Sequence, residues 1–121
     1  MRARACLALV VLLLAGGLGC ALRRPEPLPP RLLEFDATAY SVTGTTASGQ
    51  RTRPGLVAAD PAVLPMGSRI RVHDAGAYSG VYTVADTGPA VNGHEIDLFI
   101  PDGNEAKRFG RRRVHVEILG R

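Results

Sequence analysis

Three aspartates, Asp60, Asp86 and Asp97, are the residues in this chain best suited to chemistry. Ile96, Leu98 and Ile100 alternate with Asp97 and Phe99, the period of a strand with one core-facing side. A carboxylate in the middle of such a strand must be hydrogen-bonded or open to a cleft. Asp86 ends the preceding strand, and the connection to Asp97 is long enough to bring the chain back beside it. Two neighbouring carboxylates repel, so one titrates upward, as a general acid working near neutral pH requires. The competing reading is that Asp86 and Asp60 merely cap loop amides. Asp86-Thr87-Gly88 also spells the aspartic-protease triplet, but too little chain follows it for a flap hairpin, and a long segment precedes it where a short strand pair belongs. His94, between Gly93 and the last aspartate strand, is either a site residue, as a ligand contact or a pKa partner, or an ordinary exposed loop histidine; His73 and His115 sit in strand-surface positions. Asp and His spacing is not that of a metal centre, and no cofactor is implied.

The elements that must carry these residues are short. The chain has 121 residues, room for one domain, with 14 Gly and 9 Pro to make turns. Alternation and turn residues predict strands over 35–42, 55–59, 68–73, 78–85, 95–100 and 113–119. Asp102 and Glu105 form a capping box for a helix ending at Phe109, with Gly110 suited to the position just beyond it. About six short strands and one small helix describe a compact, mainly β barrel.

The formal charge is +4. Lys107, Arg108, Arg111, Arg112 and Arg113 are either an anion-facing patch or a solvated face. No aromatic platform or groove-reading helix points to nucleic acid. The two cysteines, Cys6 and Cys20, precede the domain, which therefore has no disulfide. Met1-Arg-Ala-Arg, an apolar run over 6–14 and small residues before Cys20 have the form of an export signal. The segment resembles a bacterial lipobox, with Gly17 where such boxes usually carry Leu; cleavage after Ala21 or an uncleaved anchor are the alternatives. The expected organisation is a signal peptide over 1–19, a lipid-anchored Pro-rich linker over 20–34 and a barrel domain over 35–121. This predicts an exported monomer held to a membrane by lipid on Cys20, with outer-membrane sorting because Ala21 is not Asp.

Thr38-Ala-Tyr40, Thr46-Ala-Ser-Gly49, Val57-Ala-Ala-Asp60-Pro61, Leu64-Pro-Met-Gly67, Val84-Ala-Asp86-Thr-Gly88, Gly93-His-Glu-Ile-Asp97-Leu-Phe99 and Glu105-Ala-Lys-Arg-Phe-Gly110 follow in order. Together they resemble the three-aspartate (3D) domain family over about residues 38–119. The resemblance implies a six-stranded double-psi β-barrel with one short helix, related to the catalytic barrel of membrane-bound lytic transglycosylase A. It implies a peptidoglycan glycan strand as partner and cleavage of the β-1,4 bond between N-acetylmuramic acid and N-acetylglucosamine, leaving a 1,6-anhydro end. By motif position Asp97 corresponds to the catalytic acid/base, with Asp86 and Asp60 supporting it. Thr38, Tyr40, Ser48, Thr87, Gly88, Gly93 and His94 correspond to substrate-binding positions. Gly88-Pro89 departs from the Gly-Gly of many relatives and is similar to the rare lipoprotein A group, another double-psi lineage. Pro89 removes an amide donor, which keeps a second expectation open: a module that binds glycan without cutting it.

Overall fold

The computed structural model describes residues 24–121. The expected signal peptide and Cys20 lie outside the described residues. Six strands, β1 (Leu32–Tyr40), β2 (Leu56–Ala59), β3 (Arg69–His73), β4 (Gly80–Asp86), β5 (Glu95–Phe99) and β6 (Arg112–Gly120), close into a barrel in the order β1-β5-β2-β4-β3-β6. The pairs β1/β5 and β2/β4 are parallel and the other four antiparallel. Mainly β structure, six strands in a closed barrel and one short helix are as the sequence predicts.

Alternation closes the barrel. Phe35 and Ala37 on β1, Ile96 and Leu98 on β5, Ile70 and Val72 on β3, and Val114 and Val116 on β6 are buried in a single core, while their neighbours along each strand face outward. β2 alternates too, with Val57 and Ala59 entering the core, but its other residues Leu56 and Ala58 are also covered, so all four are buried. β1 begins three residues before Phe35, because Leu33 pairs with Val116 on β6 and packs on the core. The last three residues of the expected linker therefore belong to the sheet.

The helix α1 (Gly103–Phe109) starts where Asp102 accepts hydrogen bonds from the amides of Asn104 and Glu105, at 2.8 and 3.1 Å. It ends at Gly110, whose φ of 62° few other residues adopt readily. Ala106 and Phe109 turn its buried face onto the barrel. Tyr78 meets the Phe109 ring edge-on at 5.7 Å, and the Arg112 guanidinium covers it at 4.4 Å.

Leu98 is fully buried and adjoins Asp97 in sequence. Leu98→Ala is expected to cost about 2–5 kcal/mol of folding free energy, measured as a drop in the denaturation midpoint with an unchanged slope.

Candidate active site: a carboxylate groove on the barrel wall

One rung of the sheet gathers the chemistry. Thr38 on β1 pairs with Asp97 on β5, Asp97 with Ala58 on β2, and Ala58 with Asp86 on β4. Residues paired in this way project from the same face, so two carboxylates and a hydroxyl stand in a row. Ala58, 5% exposed, is the small floor between the carboxylates. The backbones of Asp97 and Asp86 are thus two interstrand spacings apart, about 9.6 Å.

Asp86 joins the row through an irregularity. In simple alternation Asp86 shares the face of the buried Val84. The pairing of β2 with β4 shifts between Val57 and Ala58, so that Ala58 meets Asp86 and not Ala85. A shift of this kind adds a residue to one strand and re-aims the side chains beyond it.

Asp97 is half-buried, and its Oδ1 accepts a hydrogen bond from the Thr38 hydroxyl at 3.0 Å. Burial raises its pKa above the ordinary carboxylate value, and the Thr38 bond opposes that rise. Tyr40, two residues beyond Thr38, projects from the same face and leans on Phe99, the rings 5.4 Å apart. Burial, with the charges of Asp86 and Asp97 adding, pushes its phenol up to about 12. The Tyr40 hydroxyl therefore stays protonated, and it is buried without a hydrogen-bond partner among the described residues. An unpaired buried donor carries a desolvation penalty that an incoming acceptor relieves.

The other two aspartates hold loops. Asp86 Oδ1 accepts from the amides of Ala47 and Thr87, at 3.0 and 2.9 Å. It thereby fastens the loop after β1 to the end of β4, a join that the Ser48 amide strengthens by donating to the Ala85 carbonyl at 3.0 Å. The Ser48 hydroxyl lies 2.9 Å from that of Thr46, within this loop. Asp60 uses both oxygens: Oδ1 accepts from Ala62 at 3.0 Å and Oδ2 from Gly93 at 2.8 Å. These amides, Gly93 first, hold its carboxyl below the ordinary range. Asp60 so ties the turn after β2 to the loop before β5. Amide capping describes Asp60 fully and one oxygen of Asp86; Asp97 alone is bound by a hydroxyl.

Two cavities flank the rung. The first, about 180 Å³, is lined by Asp97, Thr38, Asp36, Glu95 and Arg111, with Ala90 and Val91 across from them. The turn in which Val91 donates to the Gly88 carbonyl, at 3.0 Å, presents those two apolar residues. Pro89 lacks an amide, yet its carbonyl accepts from the Asn92 side chain at 2.9 Å. The second, about 350 Å³, is lined by Tyr40, Asp86 and the loop residues Val42, Thr43, Gly44, Thr45 and Thr52.

The structure brings Thr38, Tyr40, Asp86 and Asp97 together, with the amides of Thr87 and Gly93 spent on aspartates. His94 stands elsewhere: it stacks on Phe35 at 4.7 Å and lines a separate hollow with Leu33 and Ile118. Two residues at the first cavity, Asp36 and Glu95, escaped the sequence, and a third, Arg111, stood out only as one of the arginine run. Asp36 and Glu95 are paired in register on β1 and β5, and Arg111 Nη2 donates to both, each at 3.1 Å. The pairing of strands 59 residues apart leaves no local signal. The arginine run divides: Arg111 reaches the cavity, whereas Arg112 Nε donates to the Phe109 carbonyl at 3.0 Å.

The opposite shifts at Asp97 and Asp60 predict opposite pH behaviour. With its pKa raised, Asp97 gives stability below the unfolded value of 3.8 and loses it as pH rises through the folded value. With its pKa lowered, Asp60 gives stability above 3.8 and loses it as pH falls through the folded value. Asp97→Asn should therefore match or exceed the wild-type Tm at pH 7, the gain vanishing in acid. Asp60→Asn should lower Tm at pH 7, its deficit shrinking in acid. Thermal melts from pH 3 to 7 check both.

A family model described as "3D domain" matches residues 55–120. The chain is similar to the "Cell wall-binding protein YocH" of Bacillus subtilis, 35% identical over 72% of this chain and 32% of that protein. It is also similar to the "Putative cell wall shaping protein YabE" of the same organism, 33% identical over 74% of this chain and 23% of that protein. This chain thus spans a third or less of the length of either relative. Its backbone resembles E. coli MltA with bound chitohexaose, at a TM-score of 0.53 and 20% identity over 64% of this chain and 28% of that one. Another crystal structure of MltA from E. coli gives 0.51 and 19%, over 65% and 27%. That likeness is one of fold. Asp60, Asp86 and Asp97 all fall within the matched stretch, and the chain belongs to the 3D domain family.

Proposed function

We propose that this domain binds peptidoglycan glycan strands and cleaves them as a lytic transglycosylase, with Asp97 as the acid/base. The observation that carries the proposal is the Asp97 carboxyl itself: half-buried, raised in pKa, held by Thr38 alone and open to a cavity. The cell-wall names of YocH and YabE support the substrate class, and the likeness to the MltA fold supports the reaction class.

Such a reaction asks little of the protein. Asp97 gives its proton to the oxygen of the β-1,4 bond as the bond to the muramic-acid C1 breaks. The same carboxylate then takes the proton of that sugar's C6 hydroxyl as its oxygen attacks C1. The bond broken is C1–O, the bond formed C1–O6, and Asp97 ends as it began. Intramolecular attack supplies proximity without an activated water, so the second carboxylate of an ordinary glycosidase is not needed. Thr38 fixes the Asp97 rotamer. Asp86 Oδ2, which has no amide partner among the described residues, would face positive charge developing at C1. Asp60 positions the loop that carries Ala90 and Val91. The Tyr40 hydroxyl would donate to a substrate oxygen.

One observation favours a second role, glycan binding without cleavage. Three of the four oxygens of Asp60 and Asp86 are spent on backbone amides, and the relative YocH is named for wall binding. Either role places the domain outside the cytoplasm. There we assign 1–19 as signal peptide, Cys20 as lipid attachment site, the Pro-rich segment as tether and the outer membrane as location, with the protein acting as a monomer.

Digestion of purified sacculi, read by mass spectrometry, is expected to release 1,6-anhydro-muropeptides. Asp97→Asn should stay folded and lose about 10²–10⁴-fold in kcat. Reducing ends would indicate a hydrolase. Intact sacculi carrying bound wild-type protein would favour the binding role, and full activity in Asp97→Asn would refute the assignment.

A further inference from the structure

The two cavities beside Asp97 differ in chemistry, and the difference has a direction. One, which we call the ionic cavity, sets the charged groups of Asp36, Glu95, Asp97 and Arg111 beside the apolar Ala90, Val91 and Ile96. The cavity of Thr43, Thr45 and Thr52 is neutral apart from Asp86 at its edge. We infer that the ionic cavity takes the sugar carrying the charged stem peptide, N-acetylmuramic acid, and the threonine-lined cavity takes the uncharged N-acetylglucosamine. This rests on the glycan-strand reading above and adds the polarity of the strand across Asp97.

Arg111 is anchored at one nitrogen only. Nη2 donates to Asp36 and to Glu95, which occupies two of the five N–H groups of a guanidinium. Nε and Nη1 have no partner among the described residues, and the side chain is 57% exposed. The group is thus held in place by its two acids while three donors stay open at the cavity mouth. A tied guanidinium loses little further freedom when it meets a ligand.

The ionic character continues away from the cavity. Arg113 Nε lies 3.3 Å from Asp36 Oδ1 and its Nη1 3.5 Å from Glu34. His115 lies 4.0 Å from Glu34 and 2.6 Å from Asp74. Alternating acid and base therefore run from Glu95 across β1 and β6 to the turn after β3. A stem peptide bears carboxylates and, commonly, an ammonium group, so its charge alternates too. N-acetylglucosamine offers hydroxyls and an acetamide, the groups threonine hydroxyls and the Tyr40 phenol can meet. An ionic cavity would give it no advantage.

The test uses the full chain carrying Asp97→Asn, so that strands are bound and not consumed. Binding is measured to glycan strands with stem peptides, to the same strands stripped by an amidase, and to chitohexaose. Amidase stripping leaves a lactyl carboxylate on each muramic acid, so Arg111→Gln is expected to weaken binding of both muramic-acid strands about two- to fivefold, the range of an exposed ion pair, and to leave the uncharged chitohexaose unchanged. Arg111→Lys should restore part of the loss. Thr52→Val should weaken all three. Equal effects of Arg111→Gln on the muramic-acid strands and on chitohexaose, or none on any of them, would overturn the assignment while leaving the glycan reading intact. Failure to bind any of the three would overturn both. Equal Tm values for the Arg111 variants and their parent keep a loss of binding from being a loss of fold.

Discussion

The Thr38 hydroxyl donating to Asp97 is the contact on which the site depends. A strand of the closed barrel has no free edge, so a side chain in the middle of β5 either enters the core or stands on the wall. Asp97 stands on the wall, yet the wall is deep enough there to strip it of half its solvent. A charge so placed is costly unless a donor faces it. Thr38 is that donor only because β1 and β5 run parallel and in register. One hydroxyl compensates incompletely, and the carboxyl keeps a raised pKa. A backbone amide pair in its place would have pulled the carboxyl down, as happens at Asp60. The same residue type, on β5 in one case and just beyond the end of β2 in the other, is thus poised in one place and locked in the other.

The rest of the structure keeps that rung accessible. Asp60 and Asp86 draw the loops on either side of the groove onto the barrel by their amides. The shifted register of β2 against β4 turns Asp86 out of the core and into the row. Ala58 leaves the floor between the carboxylates low. The helix α1 and Arg112 pack around Phe109, which joins the barrel core. The binding surfaces then differ on the two sides of Asp97: a fixed guanidinium among acids on one, threonine hydroxyls on the other.

Much of this was legible in the sequence because it is local. The alternation of Ile96, Leu98 and Ile100 marks β5 and singles out Asp97, and Asp102, Glu105 and Gly110 mark both ends of α1. The ordered motifs identify the family and its barrel. What was not legible depends on pairing between distant strands. The register shift that re-aims Asp86 has no local signature, since Val84, Ala85 and Asp86 read as plain alternation. Asp36, Glu95 and Arg111 look like scattered surface charge until β1 is laid beside β5. Between the two readings of His94 the sequence offers no choice; stacking on Phe35 places it at another hollow. The strand start at Leu32 was hidden by the prolines before it, which say nothing of the β6 partner waiting for Leu33.

The most direct measurement is a titration of the Asp97 side-chain carboxyl by carbon-13 NMR, followed in the intact protein and in Thr38→Val. The carboxyl should titrate above the ordinary value of 3.8, and higher still once the Thr38 hydroxyl is gone. A midpoint at or below 3.8, unmoved by the loss of that hydroxyl, would contradict a carboxyl poised by burial against a single donor.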